Sequence, residues 1–486
     1  MTPADRHPAL RRLLVLAAFG ALILLPTAAA LAAVAAMLAI SAARGARLLT
    51  HRRFSRGRTD EVVLGVDGRG KVVRLGDDEL AAHGLILGAS GAGKTTTLLR
   101  ILTAQIGRGR PVVAIDMKGS PAFARELAAA AAAAGRPIKV WTLDGGAYWN
   151  PLAHGNATEL KDKLIGTERF TEPHYMRAAE RYVQTVLQVL ARAHPDRAPT
   201  LREVVELMDP RRLASALRSL DRPARERVQD YLAGLTHDQL SAVRGLQTRL
   251  AVLTESHTGP FLAPPADPHG QPVDVRGQLI DVRAALSGPE VVVFSLNSSR
   301  YGKLAAQLGT LAVQDLVAAS GDRLLEPSRG RSIQQAVIGI DEFSALGADH
   351  VISLLARARE SGMTVLVATQ ELADLDRAAP GLRDQVLGVT AIKIAHRQEV
   401  PASANTIAQI AGTEKVWDVT RQVGGWPLGP SSRGTRRQVE EFIVHPNEIK
   451  GLRTGEAIVI SKLRGAKPRT VRVAPPRRQQ PPELGR

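Results

Sequence analysis

The amino-acid sequence predicts an α/β fold: a mainly parallel sheet, interrupted by an all-helical insertion and preceded by one membrane segment. Three observations carry this reading. Short apolar runs alternate with helical spacing in two blocks of the chain. A stretch of about 100 residues between the blocks has little strand signal. Leu13 to Ala43 contains no charged residue.

At roughly 1.5 Å of rise per residue, that apolar run exceeds a hydrocarbon core of ~30 Å. Arg11 and Arg12 precede it, and the heavier flank Arg44, Arg47, Arg52, Arg53, Arg56 and Arg58 follows it. The positive side faces the cytoplasm, so the body belongs there, on the inner face of the cell membrane. Pro26 divides the run, which leaves a tilted single span or a re-entrant hairpin. Residues 1–58 are read as this anchor with its basic flank.

Val62-Val63-Leu64 and Val72-Val73-Arg74-Leu75 read as strands around the turn Asp67-Gly68-Arg69-Gly70. Gly84-Leu85-Ile86-Leu87 is a short buried strand, Thr95–Gln105 a helix, and Pro111–Ile115 a second strand ending at Asp116. Residues 156–275 form the helical insertion. Its markers are the spacing of Ala178, Ala179, Tyr182, Val183, Val186, Leu187 and Leu190, and a capping box at Thr200-Leu201-Arg202-Glu203. The sheet resumes with Val291–Leu296, Ala336–Ile340, Thr364–Thr369, Ala391–Ile394 and Ala457–Ile460, and a long helix covers Leu304–Ala319. One domain thus comprises 59–155 and 276–462. Residues 463–486, rich in Pro and Arg, are read as a disordered basic tail.

Composition narrows the chemistry. The chain has no cysteine, which excludes thiol catalysis and thiolate metal sites. The net charge is +17, but residues 1–58 hold +8 and residues 462–486 hold +7, leaving the body nearly neutral. A global basicity argument for nucleic-acid binding by the body therefore fails. Aromatic residues at 3% argue against a binder built on stacking rings.

Gly88-Ala89-Ser90-Gly91-Ala92-Gly93-Lys94-Thr95 follows an apolar strand and opens a helix. That is the P-loop pattern. Backbone N–H groups at a helix N-terminus cradle phosphates, and Gly88 and Gly93 allow the tight path. Lys94 reaches the β- and γ-phosphates, and the Thr95 hydroxyl ligates Mg²⁺, with Thr96 next to it. The ligand expected is ATP with Mg²⁺. Asp341 and Glu342 end an apolar strand, where ligands of parallel sheets bind. Asp341 would join the metal shell, and Glu342 would act as general base on the attacking water. Gln370 ends the next strand, placed to sense the γ-phosphate. Arg359, or its neighbour Arg357, is the candidate for an arginine supplied to an adjacent subunit. Asp116 and Lys118 receive no catalytic role.

The order of motifs resembles the conjugative coupling proteins of type IV secretion, the TraG and TraD families, within the HerA–FtsK group. The resemblance rests on His83–Gly88 running into the P-loop, Ile115–Gly119, Trp149-Asn150-Pro151-Leu152, Ile340–Phe343 as a Walker B motif, Arg359–Gly362 through Gln370, and His445–Ile449 through Gly455–Val459. It implies a RecA-like ATPase that forms a ring, expected to be a homo-hexamer, on the membrane. It further implies DNA as cargo, with a relaxase or relaxosome and secretion-channel proteins as partners. Family members commonly carry two spans with a small outer domain between them; this sequence has room for neither. Two alternatives stay open: a double-strand DNA pump of the FtsK type, which commonly ends in a winged-helix module, and a nucleotide-gated receptor for secreted proteins.

Overall fold

In the computed structural model, the described residues are 61–476, apart from 169, 171, 266–272, 274, 276–277, 331, 347, 422–433, 464 and 466. The span expected at Leu13–Ala43 lies outside them. Among the described residues, no helix is long and apolar enough to cross a membrane.

The strands in chain order are β1 (Glu61–Asp67), β2 (Val72–Gly76), β3 (Gly84–Leu87), β4 (Val112–Asp116), β5 (Ile138–Thr142), β6 (Tyr148–Trp149), β7 (Leu279–Ile280), β8 (Val291–Ser295), β9 (Ala336–Asp341), β10 (Met363–Thr369), β11 (Ile392–Ala395), β12 (Thr413–Arg421), β13 (Gly434–Phe442), β14 (Glu456–Ser461) and β15 (Arg469–Val473). Eleven of them form one sheet in the order β2-β1-β15-β14-β11-β3-β10-β9-β4-β8-β5. From β11 to β5 each pair is parallel. β14 and β15 continue the sheet antiparallel.

The central strands β3, β4, β9 and β10 are buried at every residue. That is why they read as unbroken apolar runs rather than as alternating ones. The helices Lys94–Gly107, Ser298–Leu324 and Ala348–Ala358 accompany them. The long helix Ser298–Leu324 starts at Asn297, whose side chain accepts from the Arg300 N–H.

Between β6 and β7 the described residues are helical from Ala157 to Glu255, in six α-helices and one 3-10 helix. Tyr182, Val183, Val186, Leu187 and Leu190 on Pro173–Ala193 pack with Val204, Leu246, Leu250 and Leu253. The capping box forms: the Thr200 hydroxyl accepts from Glu203 N at 3.2 Å, and Glu203 accepts from Thr200 N at 2.8 Å. β6 and β7 lie side by side, Tyr148 opposite Leu279 and Trp149 opposite Ile280, so the excursion leaves and returns at one point. A buried polar knot secures that point. Trp149 Nε1 donates to Asp315 at 3.0 Å, and Lys163 Nζ donates to Asp315 at 2.5 Å and to the Pro151 carbonyl at 2.7 Å. Each charge there has its partner, as burial requires.

The sequence reading named no strand at β5, β6 or β7, and two further regions depart from it. Arg469–Val473 lies within the stretch expected to be a structureless tail, yet it is β15. Val471 and Val473 alternate inward, and the strand pairs with β14 and, from Val471 to Val473, with β1. The surrounding Arg and Pro masked a period-2 signal of only five residues. β12 and β13 form a separate antiparallel ribbon from Thr413↔Phe442 to Arg421↔Gly434, where no strand was expected. Its side chains are mostly exposed on both faces, so no apolar periodicity announces it.

Candidate nucleotide-binding site

Strand β3 delivers the chain to Gly88 at the carboxyl edge of the sheet. The loop is pinned across its neighbours: Gly88 N donates to the Gln370 carbonyl at 3.2 Å, and Ala89 N to the Arg397 carbonyl at 2.8 Å. A side chain at Gly88 would meet Cβ of His396 at 2.6 Å. Gly93 holds φ 120°, a conformation open to glycine, immediately before the helix Lys94–Gly107. Ser90 and Gly91 are exposed at the crest, whereas Gly88, Ala89 and Ala92 are buried, and Thr96 is half-buried on the first helical turn.

Lys94 is 3% exposed. Its Nζ donates to the carbonyls of Gly88 at 2.6 Å and Ala89 at 3.3 Å. Burial pulls its pKa below the usual lysine value and Lys118 adds to this, against Glu342, Asp341 and Asp374. The Thr95 hydroxyl donates to Asp341 Oδ2 at 2.7 Å. The two residues named as metal ligands thus meet, although 246 positions separate them.

Asp341 ends β9 and sits opposite Asp116 at the end of β4. Burial pushes the Asp116 carboxyl up to about 6. The charge of Asp341 adds to the shift, while N–H bonds from Ser120 and Lys118 oppose it. Glu342 takes the left-handed conformation, φ 56° and ψ 47°, which strains a residue with a β-carbon. Two groups hold it there. Gln370 Nε2 donates to Glu342 Oε1 at 3.1 Å, and Lys118 Nζ pairs with the same oxygen at 2.7 Å. Burial would lower the Lys118 pKa, but Asp341, Glu342 and Asp116 outweigh it and keep the ammonium above its ordinary value.

Lys94, Thr95, Asp341, Glu342 and Gln370 therefore share one site. Lys118 belongs with them, which the sequence reading missed. Its signals were its place two residues beyond a strand end and its membership of the Ile115–Gly119 motif, neither of which points to Glu342. His396 was missed as well. It is fully buried, with Nδ1 on the Glu456 carbonyl at 2.8 Å and Nε2 on the Thr97 hydroxyl at 2.8 Å. The carbonyl fixes the proton on Nδ1, so Nε2 accepts. Burial keeps the ring neutral, with its pKa lowered to about 4; the Glu456 carbonyl opposes this and Lys94 adds to it. Gly455 N, at the start of the Gly455–Val459 motif, donates to the Ala92 carbonyl at 2.9 Å and braces the loop from the same side.

Arg359 is elsewhere. It lies between the helix Ala348–Ala358 and β10, at the edge where the parallel strands begin. The P-loop lies where they end, some 20 Å away at about 3.3 Å per strand residue. Within one chain Arg359 does not meet the P-loop. Arg357 is exposed near the end of that helix.

A parallel sheet carrying a P-loop after one strand and an Asp–Glu pair at the end of another, with β10 between the two, is the RecA-like architecture of P-loop proteins. Residues 335–454 match the family described as the TraM recognition site of TraD and TraG. No curated protein sequence matches the chain. It is similar to the bacterial conjugative coupling protein TrwBΔN70 in an unbound form, with 15% identity over 88% of this chain and 92% of that one and a TM-score of 0.61. TrwB in complex with ADP and Mg²⁺ matches at 16% identity over 88% and 91%, with a TM-score of 0.56. VirB4 of Thermoanaerobacter pseudethanolicus matches at 15% over 86% and 97%, with a TM-score of 0.53. The TraG and TraD match and the shared fold support the resemblance to conjugative coupling proteins that the motifs carry.

Proposed function

We propose that this protein is a membrane-anchored ATPase that drives DNA, or a DNA–relaxase complex, into a type IV secretion-like channel. The observation that carries the reading is the cluster Thr95–Asp341–Glu342 with Lys118 and Gln370. One part of it is suited to hold a metal and phosphates, the other to hold a basic carboxylate in a set pose.

The residues present fit ATP with Mg²⁺. Thr95 and Asp341 set two hard oxygen donors side by side. Lys94 rests on two loop carbonyls that offer weaker partners than phosphate oxygens. When bound, Mg²⁺ supplies positive charge against the phosphates. Lys94 orients the β- and γ-phosphates. Glu342 accepts the proton of the attacking water, with Lys118 and Gln370 fixing its Oε1 so that Oε2 takes that proton. Gln370 reports on the γ-phosphate to β10. Arg359 would complete a neighbouring subunit's site in a hexameric ring, which is consistent with its distance from its own P-loop.

In this reading residues 59–155 and 276–462 are the engine, 156–275 is the insertion that engages cargo or partners, and the Leu13–Ala43 anchor keeps the ring on the inner membrane. The relaxosome is the partner class that the TraM-recognition match favours. Measuring ATP turnover of the full chain with single- and double-stranded DNA tests this. The expected result is stimulation by one form. Turnover indifferent to both would remove the DNA-motor reading and leave the receptor alternative.

A further inference from the structure

At the sheet edge where β3, β10 and β11 begin lies a cavity of about 500 Å³. Leu355, Leu387 and Val389 form apolar wall, while His83, Arg359, Lys393 and Lys462 contribute nitrogen donors. Among the described residues no carboxylate lines it.

Lys393 is 5% exposed, in a strand whose other residues are Ile392, Ile394 and Ala395. Its ammonium donates to the Thr390 carbonyl and forms no ion pair among the described residues. One carbonyl leaves two of its three donors unused, and an unpaired buried charge is costly. Burial pulls its pKa down to about 8, and Lys462 adds to the shift.

His83 is a second, independent observation. It is 2% exposed and holds φ 64°. Its Nδ1 accepts from Val365 N at 3.1 Å, so the hydrogen sits on Nε2. That Nε2 has no partner of hydrogen-bond geometry. Burial lowers the ring's pKa to about 4; the Leu355 carbonyl opposes this and Arg359 adds to it, so the ring is a neutral donor. Lys462 is exposed and donates to the Ile410 carbonyl at 2.9 Å. Arg359 is exposed and carries no ion pair among the described residues.

We propose that this cavity binds a phosphate group, as a second anion site on the sheet edge opposite the P-loop. A guanidinium fork, two ammonium groups and an imidazole N–H give more donors than one carboxylate can use, and they match a phosphate's several oxygens. The volume suits a nucleotide-sized ligand. A free nucleotide and a DNA strand both carry the group. The proposal does not depend on the hydrolysis assignment: His83, Lys393 and Lys462 carry it, and Arg359 joins them when it is not engaged at a neighbouring subunit's site.

Pyridoxal 5′-phosphate is a suitable probe, since it joins an aldehyde to a phosphate. The lysine amine condenses with the aldehyde, losing water, and borohydride reduces the resulting imine for peptide mapping. On the full chain in detergent at pH 8, Lys393 should be labelled ahead of exposed Lys71 and Lys450. Inorganic pyrophosphate should protect it, and Lys462→Gln should weaken that protection about tenfold, the effect of one charge-assisted bond. A single-stranded oligonucleotide that protects at lower concentration identifies the strand as the source. Protection by pyrophosphate alone identifies the free anion. Labelling of Lys393 no faster than Lys71, protection by neither anion, or protection unchanged in Lys462→Gln would overturn the site.

Discussion

The two edges of the parallel sheet treat charge in opposite ways. At the carboxyl edge each buried charge is answered within the chain: Lys94 by loop carbonyls, Asp341 by Thr95, and Glu342 by Lys118 and Gln370. At the amino edge Lys393 and His83 are equally buried but less fully answered: the ammonium has one carbonyl, and His83 Nε2 has no partner of hydrogen-bond geometry. The contrast separates a site assembled for chemistry from one that completes itself on an incoming anion. The strain follows the same division. The side chain of Glu342, in the left-handed region, is clamped by two side chains, whereas the ring of His83, in the same region, takes a single backbone N–H.

Lys94→Ala gives the largest effect. ATP turnover should fall by about a hundredfold or more, the scale of losing a charged group aimed at the reacting phosphates. Labelling of Lys393 at the other edge should stay as it is, which sharpens the comparison; a joint loss would mean that the edges are not independent. Lys118→Ala comes next. It removes one of the two groups fixing Glu342, and turnover should fall about tenfold, one charge-assisted hydrogen bond. Turnover unchanged in that variant would break the claim that the carboxyl edge is compensated for function.

His396→Asn should be smallest in activity and visible in stability. It loses the bonds to Thr97 and Glu456, costing about 1–3 kcal/mol. The sign of its pH effect follows from the lowered pKa. Between 6.5 and about 4 the unfolded ring binds a proton that the folded ring refuses. Stability is therefore full above pH 6.5 and is lost as pH falls toward 4. His83 acts in the same direction, so the variant should keep part of this slope. Thermal melting at pH 7 and pH 5 measures it; an unaltered difference between the two pH values would contradict the neutral, buried ring.

Much of the carboxyl edge was legible because its chemistry is local. A P-loop must be contiguous, and an acid that ends a buried strand must follow an apolar run. Gln370 was legible for the same reason. Lys118 was not, since its meaning depends on Glu342, brought near only by the pairing of β4 with β9. His396 was a lone histidine after a short strand, and only the fold sets it beneath Thr97. The amino edge was almost silent. Arg359 stood out as a candidate, but His83, Lys393 and Lys462 come from separate elements whose sequences show no shared pattern. The β12–β13 ribbon and β15 were unreadable for the reason that their burial is partial or absent.

The most direct test of the account compares ATP binding and ATP turnover in Glu342→Gln. The substitution keeps the shape and the Lys118 and Gln370 contacts within reach, but removes the base. The account predicts binding close to that of the unaltered chain and turnover lower by about a hundredfold or more, the range of general-base catalysis. Turnover at the normal rate would contradict it.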